Sequence, residues 1–359
     1  MVKIAITGIG IISPSGHGKD SFWRSLNRSS GAESRTEPGM IQEFDEQAYM
    51  DSKTSRYCQR AEKLALATSK LALADAELDP AVSPEMRVGV SLGSMTSNLS
   101  AAVDFDQQIL RGEGNYADPA LIPSGIMNSL TGIVSIKNGI RGFHVPVAAA
   151  GASSAQAIQF AMLQLESGRV DAVLAGGVEE VGRAAGLIGH NEISRHEGEG
   201  EYSAPLSEAA AVLLLESSAS ATRRGAQVYA ECTGFGCTYA PRGDSNRKVR
   251  VSAAVRAMKQ ACRELGSGPR DIDLVFASFD GGGAQEGVEI EATRQFFNSP
   301  VPEIFNIKSI VGETLGASGA LQVAAAALAI KQAGEIRHVL VNSFSRDGHV
   351  SSIVLRKRG

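Results

Sequence analysis

The chain has 359 residues, of which 43% are hydrophobic, 21% are charged and 5% are aromatic. This length is too great for one small core and indicates one large layered unit or two fused halves. The net charge of −4 at pH 7 argues against a protein that binds nucleic acid through phosphate contacts. No apolar stretch reaches about 18 residues without a polar interruption, which argues against a transmembrane span.

The cysteines and the N-terminus bear on compartment and metal content. Cys58, Cys232, Cys237 and Cys262 show no paired C-x-x-C spacing and are too few for a disulfide scaffold. We expect them to be small buried apolar groups. The opening residues lack the basic region, apolar core and cleavage site of a signal peptide. We therefore expect a cytoplasmic protein that binds no membrane, nucleic acid, metal or cofactor.

Short apolar runs, most of them bounded by glycine, predict strands of a sheet that helices cover on both faces. The opening MVKIAITGIGIISP predicts a strand followed by a glycine turn. The predicted strands are 3–7, 87–92, 171–175, 211–216, 228–233, 274–278, 339–343 and 352–356.

Longer amphipathic segments lie between these strands and predict helices at 21–26, 60–76, 153–168, 253–266, 286–297 and 316–333. Strands that alternate with helices indicate α/β layers. A strand, a glycine-rich turn and an Ala-rich helix occur near 148–165 and again near 307–329, which predicts an internal duplication. The segment 217–225 is expected to be a helical crossover between the two repeats.

Two polar segments are expected to be loops. Residues 190–206 are the most irregular stretch and predict an exposed loop. Arg242, Arg247, Lys248 and Arg250 predict a basic loop in an otherwise acidic chain. Such a loop is either simply solvated or in contact with an acidic carrier protein.

Four ordered motifs span nearly the whole chain: ITGIGIISPSG, VAAAGASSAQAI, SFDGGGA and NIKSIVGETLGASGA. They resemble the ITG-x-G-x-x-S-P-x-G, T-A-C-x-S-S/G-x-x-A-I, N-A-H-G-T-x-T and K-S-x-x-G-H-x-x-G-A-x-G motifs of the thiolase-fold β-ketoacyl synthases. These are the condensing enzymes of fatty-acid and polyketide assembly. The resemblance implies an α/β, thiolase-like fold. In it, two duplicated βαβαβαββ halves, 1–217 and 218–359, form an αβαβα layered sandwich.

The departures from these motifs concern the chemistry. A working synthase uses a cysteine at a helix N-terminus, where the thiolate is favoured, and two histidines that stabilise the enolate and carbonyl oxygens. The resemblance places Gly151 at the cysteine position, Asp280 at the first histidine and Glu313 at the second. It also places Arg346 where the family's gating phenylalanine would be. All three catalytic groups are therefore absent.

A condensing-enzyme fold without its catalytic residues resembles a chain length factor, the β subunit of a ketosynthase pair. The resemblance implies an active, cysteine-bearing ketosynthase α subunit as heterodimer partner, and acyl carrier protein bound mostly through that partner. It places the interface at 142–147 and 121–140, the pocket bottom at Thr96 and the dimer boundary at Leu121. The tunnel and interface candidates are Thr96, Leu121, Met127, Leu130 and Arg346.

Three other interpretations stay open. Asp280 and Glu313 could form an acid/base pair in an enzyme with a different mechanism. A decarboxylase-type variant carries glutamine at the cysteine position, and Gly151 offers no amide to replace it. A homodimeric acyl-binding scaffold would need no synthase partner. Independently of these interpretations, two carboxylates in a former active site need compensation, so we predict that Lys308, Arg346 or backbone amides neutralise at least one of them. The short loops and few aromatic residues slightly favour a polyene-type product.

Overall fold

The computed structural model describes residues 3–28, 39–83, 85–113, 117–119, 121–182, 204–241, 247–266, 268–279 and 283–359. The strands in these ranges are β1 (Ile4–Ser13), β2 (Gly16–His17), β3 (Val88–Gly93), β4 (His144–Val147), β5 (Ala172–Glu179), β6 (Ala209–Ser217), β7 (Ala230–Tyr239), β8 (Leu274–Phe276), β9 (Glu303–Phe305), β10 (His338–Phe344) and β11 (His349–Arg356).

The α-helices of the same ranges are α1 (Lys19–Arg28), α2 (Ser52–Tyr57), α3 (Arg60–Asp75), α4 (Leu99–Gln108), α5 (Leu121–Gly125), α6 (Ser129–Lys137), α7 (Ser153–Glu166), α8 (Ser218–Arg223), α9 (Arg247–Ala261), α10 (Gly283–Phe297), α11 (Lys308–Val311) and α12 (Ser318–Gln332). The short 3-10 turns Ala150–Ala152 and Leu315–Ala317 precede α7 and α12. None of these helices combines the length and apolarity that crossing a bilayer requires.

The strands form one sheet in the order β4-β3-β5-β6-β1-β7-β11-β10-β8-β9, with β2 paired to β1. Apart from β2, each half contributes five strands. Numbered along the chain within its half, each set lies in the order third, second, fourth, fifth and first from the edge of the sheet to its middle. The two halves meet where Ile4 and Ile6 of β1 pair with Cys232 and Ala230 of β7. Each half has the connectivity βαβαβαββ, so the predicted duplication is confirmed. β6 ends at Ser217 and α8 then crosses to the second half; the boundary between 217 and 218 stays a prediction.

The helices form three layers around the two halves of the sheet. α3 and α6 cover the outer face of the first half, α7 and α12 lie between the halves, and α9 and α10 cover the outer face of the second half. Alternate residues of β6 belong to the middle and the outer core, as period-2 side-chain alternation requires. The predicted αβαβα thiolase-like sandwich is therefore confirmed.

The predicted glycine turn after residue 7 is wrong, because β1 continues to Ser13. A Cβ atom on Gly8 would lie 2.1 Å from the Ala72 carbonyl oxygen, and one on Gly10 would lie 1.9 Å from the Thr68 carbonyl oxygen. The two glycines thus allow the backbone of α3 to pack directly on β1.

One further expectation is corrected, and another is not tested by the described residues. Arg247, Lys248 and Arg250 do not belong to a loop, because α9 begins at Arg247; Arg242 lies outside the described residues. Arg247 ion-pairs with Glu291 of α10 at 2.8 Å, so this charge links two helices of the outer layer. Most of the predicted loop 190–206 also lies outside the described residues.

The cysteine prediction holds for three of the four residues. Cys58, Cys232 and Cys262 are buried, whereas Cys237 is exposed. Cys237 lies near the end of β7, beyond the part of that strand that pairs with β1.

Candidate functional site

Gly151 lies in the turn Ala150–Ala152, at the N-terminal end of α7 in the middle layer. Its N–H donates to the Ser345 hydroxyl oxygen at 3.0 Å. A Cβ atom on Gly151 would lie 3.4 Å from that oxygen, which is ordinary van der Waals contact. The turn therefore has space for the first atom of a side chain, but its amide already has a partner within the chain.

The hydroxyls that follow Gly151 maintain the turn. Ser153 donates to the Ala150 carbonyl at 2.6 Å and accepts from the Ala149 amide at 2.9 Å. Ser154 accepts from the Ala320 amide of α12 at 3.0 Å. These contacts are capping and packing interactions that connect the two helices of the middle layer.

Ser345 belongs to a polar turn between β10 and β11 that also contains Arg346, which is half-buried. The Asp347 carboxylate lies 2.7 Å from His349 Nδ1. Burial opposes ionisation of Asp347, but hydrogen bonds from Ser345 and His349 outweigh it and lower the pKa of this carboxyl. Ser345 therefore joins the Gly151 amide to an ionised carboxylate.

Glu313 is buried beside the turn Leu315–Ala317, which packs against the Gly151 turn. Lys308 Nζ donates to Glu313 Oε2 at 2.6 Å, and both side chains are shielded from solvent. The Leu315 amide and the Ser318 hydroxyl donate to Oε1 at 2.7 and 3.1 Å. The prediction that Lys308 and backbone amides neutralise a carboxylate is confirmed for Glu313. Asp280 lies outside the described residues.

Thr96 lies in the turn after β3, where it binds the fully buried Glu179 at the end of β5. Its hydroxyl donates to Glu179 Oε2, and its amide donates to the same oxygen at 3.2 Å. The Met95 amide and the Ser94 hydroxyl donate to Oε1. Burial nevertheless raises the pKa of Glu179 to about 7. The Thr96 hydroxyl is therefore engaged with a buried acid.

The remaining candidates occupy different places. Leu121 is the first residue of α5 and is half-buried. Met127 follows that helix and is 41% exposed. Leu130 belongs to α6 and is buried in the core that this helix covers. Arg346 lies in the other half, next to Ser345. The structure thus brings Arg346 close to the Gly151 turn and places Met127 at the surface.

Large apolar side chains are exposed on and after α5, on α6 and on α7; α5 packs on α6, and α6 and α7 contact the edge strand β4. α6 packs on one face of this strand and α7 packs on the other. We call this region the apolar surface; its exposed members are Ile122, Ile126, Met127, Ile136 and Leu163. Exposed clusters of this kind are typical of protein–protein interfaces.

Sequence reasoning missed two residues of the site. Ser345 begins the polar segment SRDGHV directly after an apolar strand, and its hydroxyl is visible in the sequence. Glu179 ends an otherwise apolar strand, which is an unusual place for a charged residue. Both signals indicate a residue with a specific polar partner, but neither identifies that partner.

Residues 1–221 match the family model of the N-terminal domain of β-ketoacyl synthases, and residues 229–339 match that of the C-terminal domain. The chain belongs to the β-ketoacyl synthase family. The 3-oxoacyl-acyl-carrier-protein synthase 2 of Coxiella burnetii is 26% identical, over 92% of this chain and 86% of that protein. The enzyme of the same name from Vibrio cholerae is 25% identical, over 89% and 84%.

Solved structures of the family share the fold. The ishigamide ketosynthase/chain length factor superposes with a TM-score of 0.87 at 22% identity, and the match covers 100% of both chains. A β-ketoacyl synthase from Burkholderia phymatum gives 0.83 at 24% identity, again with 100% of both chains covered.

Proposed function

We propose that this chain is a non-catalytic subunit, comparable to a chain length factor, that pairs with an active β-ketoacyl-acyl-carrier-protein synthase. The observation that carries the proposal is Gly151, which has no nucleophile and whose amide is bound by Ser345 within the chain. A thioester cannot form on glycine, and an amide that already has a partner does not stabilise a new oxyanion.

In the proposed pair, the condensation takes place in the partner. The partner's cysteine would hold the growing chain as a thioester. Malonyl-acyl carrier protein would lose carbon dioxide, and the resulting enolate would attack the thioester carbonyl and expel the cysteine thiolate. This chain would contribute one wall of the tunnel that holds the product. Acyl carrier protein would then bind mostly through the partner.

Glu313 supports this division of roles. Both of its carboxylate oxygens already accept hydrogen bonds from groups of the same chain, and Lys308 supplies a positive charge. A general acid or base needs an oxygen that can reach substrate. The contacts of Glu313 therefore favour a structural role over an acid/base mechanism with Asp280.

The apolar surface is a second argument that this chain binds a partner chain. It flanks an edge strand whose outer side pairs with no strand among the described residues. Interfaces of obligate pairs are large and apolar. Two solved structures with the same fold are a ketosynthase/chain length factor and a ketosynthase in complex with its acyl-carrier protein.

The experiment is co-expression with a cysteine-bearing β-ketoacyl synthase from the same genome, followed by size-exclusion chromatography with mass measurement. We expect a one-to-one complex. Ile136→Glu, at a residue that is 76% exposed in the apolar surface, should abolish it. The matched control is Ile304→Glu, at an isoleucine 39% exposed on the strand at the opposite edge of the sheet. A stable homodimer that ignores the synthase and retains acyl groups would instead support an acyl-binding scaffold.

A further inference from the structure

The edge strand β4 contains a proline at its third position, Pro146. β4 pairs in parallel with β3 only, and it ends the sheet. The Val90 amide donates to the Phe143 carbonyl at 2.8 Å, and the Ser94 amide donates to the Val147 carbonyl at 3.2 Å. Because backbone groups alternate in direction along a strand, those of Val145 also face β3. The backbone groups of His144 and Pro146 therefore face the open side.

Proline has no N–H, so the open side offers an unequal set of hydrogen-bonding groups. His144 presents one donor and one acceptor, while Pro146 presents an acceptor alone. An ordinary strand of this length would present two donors and two acceptors. A strand that pairs fully with this edge must therefore supply two donors and needs only one acceptor.

A second copy of this chain cannot supply that set. If His144 of each copy lies opposite Pro146 of the other, four hydrogen bonds are possible between these residues. Two of the four are missing, because neither Pro146 has an N–H to donate to the opposing His144 carbonyl. If His144 lies opposite itself, two bonds form, but both Pro146 carbonyls stay unpaired. In that register the opposing Gly142 N–H is already donated to Val88 at 3.1 Å. A different chain without proline in its edge strand would lose one bond of four.

We propose that Pro146 is a specificity residue that disfavours pairing of two copies and favours a different chain, whose edge strand has an N–H at the matching position. The inference rests on the proposed function for the identity of that chain as a synthase. Proline at an edge strand is a known way to prevent self-pairing. The apolar surface beside β4 makes such a device necessary, because it would otherwise favour any copy that docks there.

The test restores the missing donor with Pro146→Ala and, independently, with Pro146→Thr, which suits a strand better. Pro123→Ala is the matched control, because it removes a proline from α5 in the same region without adding a donor to the sheet edge. Self-association of each purified chain is measured by sedimentation equilibrium over a dilution series. Binding to the same cysteine-bearing β-ketoacyl synthase is measured by titration.

Each net hydrogen bond changes an equilibrium constant by about fivefold. The homodimer regains two bonds and should tighten by about 25-fold, whereas the heterodimer regains one and should tighten by about fivefold. Pro123→Ala should change neither. Self-association that stays unchanged in both folded Pro146 variants would overturn the inference. If no synthase binds any of the chains, the proposed function fails, and the self-association series still decides the role of Pro146.

Discussion

The buried pair Lys308–Glu313 allows a quantitative test of the altered site. Lys308→Met removes the ammonium group but keeps a flexible apolar side chain of similar length. It leaves the Glu313 carboxylate in the core with only the Leu315 amide and the Ser318 hydroxyl as donors. Breaking a buried ion pair costs about 3–5 kcal/mol, because one charge stays desolvated without compensation. For a chain of 359 residues, this corresponds to a fall in Tm of roughly 4–7 °C.

The assay is thermal and urea unfolding followed by circular dichroism. Lys331→Met, at an exposed lysine on α12, is the control and should change Tm by less than about 1 °C. The double variant Lys308→Met with Glu313→Gln removes both charges and should regain most of the stability. A single variant as stable as the control would refute the view that this pair compensates a buried charge.

Four further predictions concern the Gly151 turn, the pair Thr96–Glu179 and the proposed tunnel. Gly151→Cys should give no condensation product from malonyl-acyl carrier protein, because the histidine positions stay altered; product detected by mass spectrometry would contradict this. Thr96→Phe should lower the free energy of unfolding by more than the ~1–3 kcal/mol that overpacking alone costs. The reason is that Glu179 also loses the hydrogen bond from the Thr96 hydroxyl. Leu121→Trp should instead shorten the heterodimer's product at unchanged Tm. Burial raises the pKa of Glu179 from 4.5 to about 7. The free energy of unfolding should therefore fall as pH rises from 4.5 to about 7, and it should fall less in Glu179→Gln. Identical pH profiles of the two proteins would contradict this prediction.

Much of the fold could be predicted because local signals and tertiary context agree. β6 was expected at 211–216 and spans Ala209–Ser217, since its continuous apolar run is buried on both faces. The repeat was visible because Gly151 and Gly316 each precede an Ala-rich helix. By contrast, α4, α5 and α6 were not predicted as helices. They are short, and Pro123 and Gly132 interrupt the apolar pattern that would indicate them.

The contacts of the site could not be predicted, because they join distant parts of the chain. Ser345 meets Gly151 across 194 positions, and Glu179 meets Thr96 across 83. Motif spacing located Gly151 and Thr96, but only the packing of the two halves determines which side chain reaches each of them. For Thr96 the difference matters, since a residue expected to bound a tunnel is hydrogen-bonded to a buried acid.

The central claim is that this chain acts only together with an active synthase. The most direct measurement reconstitutes malonyl- and acyl-loaded acyl carrier protein with a cysteine-bearing β-ketoacyl synthase from the same genome, with this chain and with both, and follows the products by mass spectrometry. We predict full-length product from the pair only, and no condensation or acyl adduct from this chain alone. Equal product from the synthase alone, or condensation by this chain alone, would contradict the account.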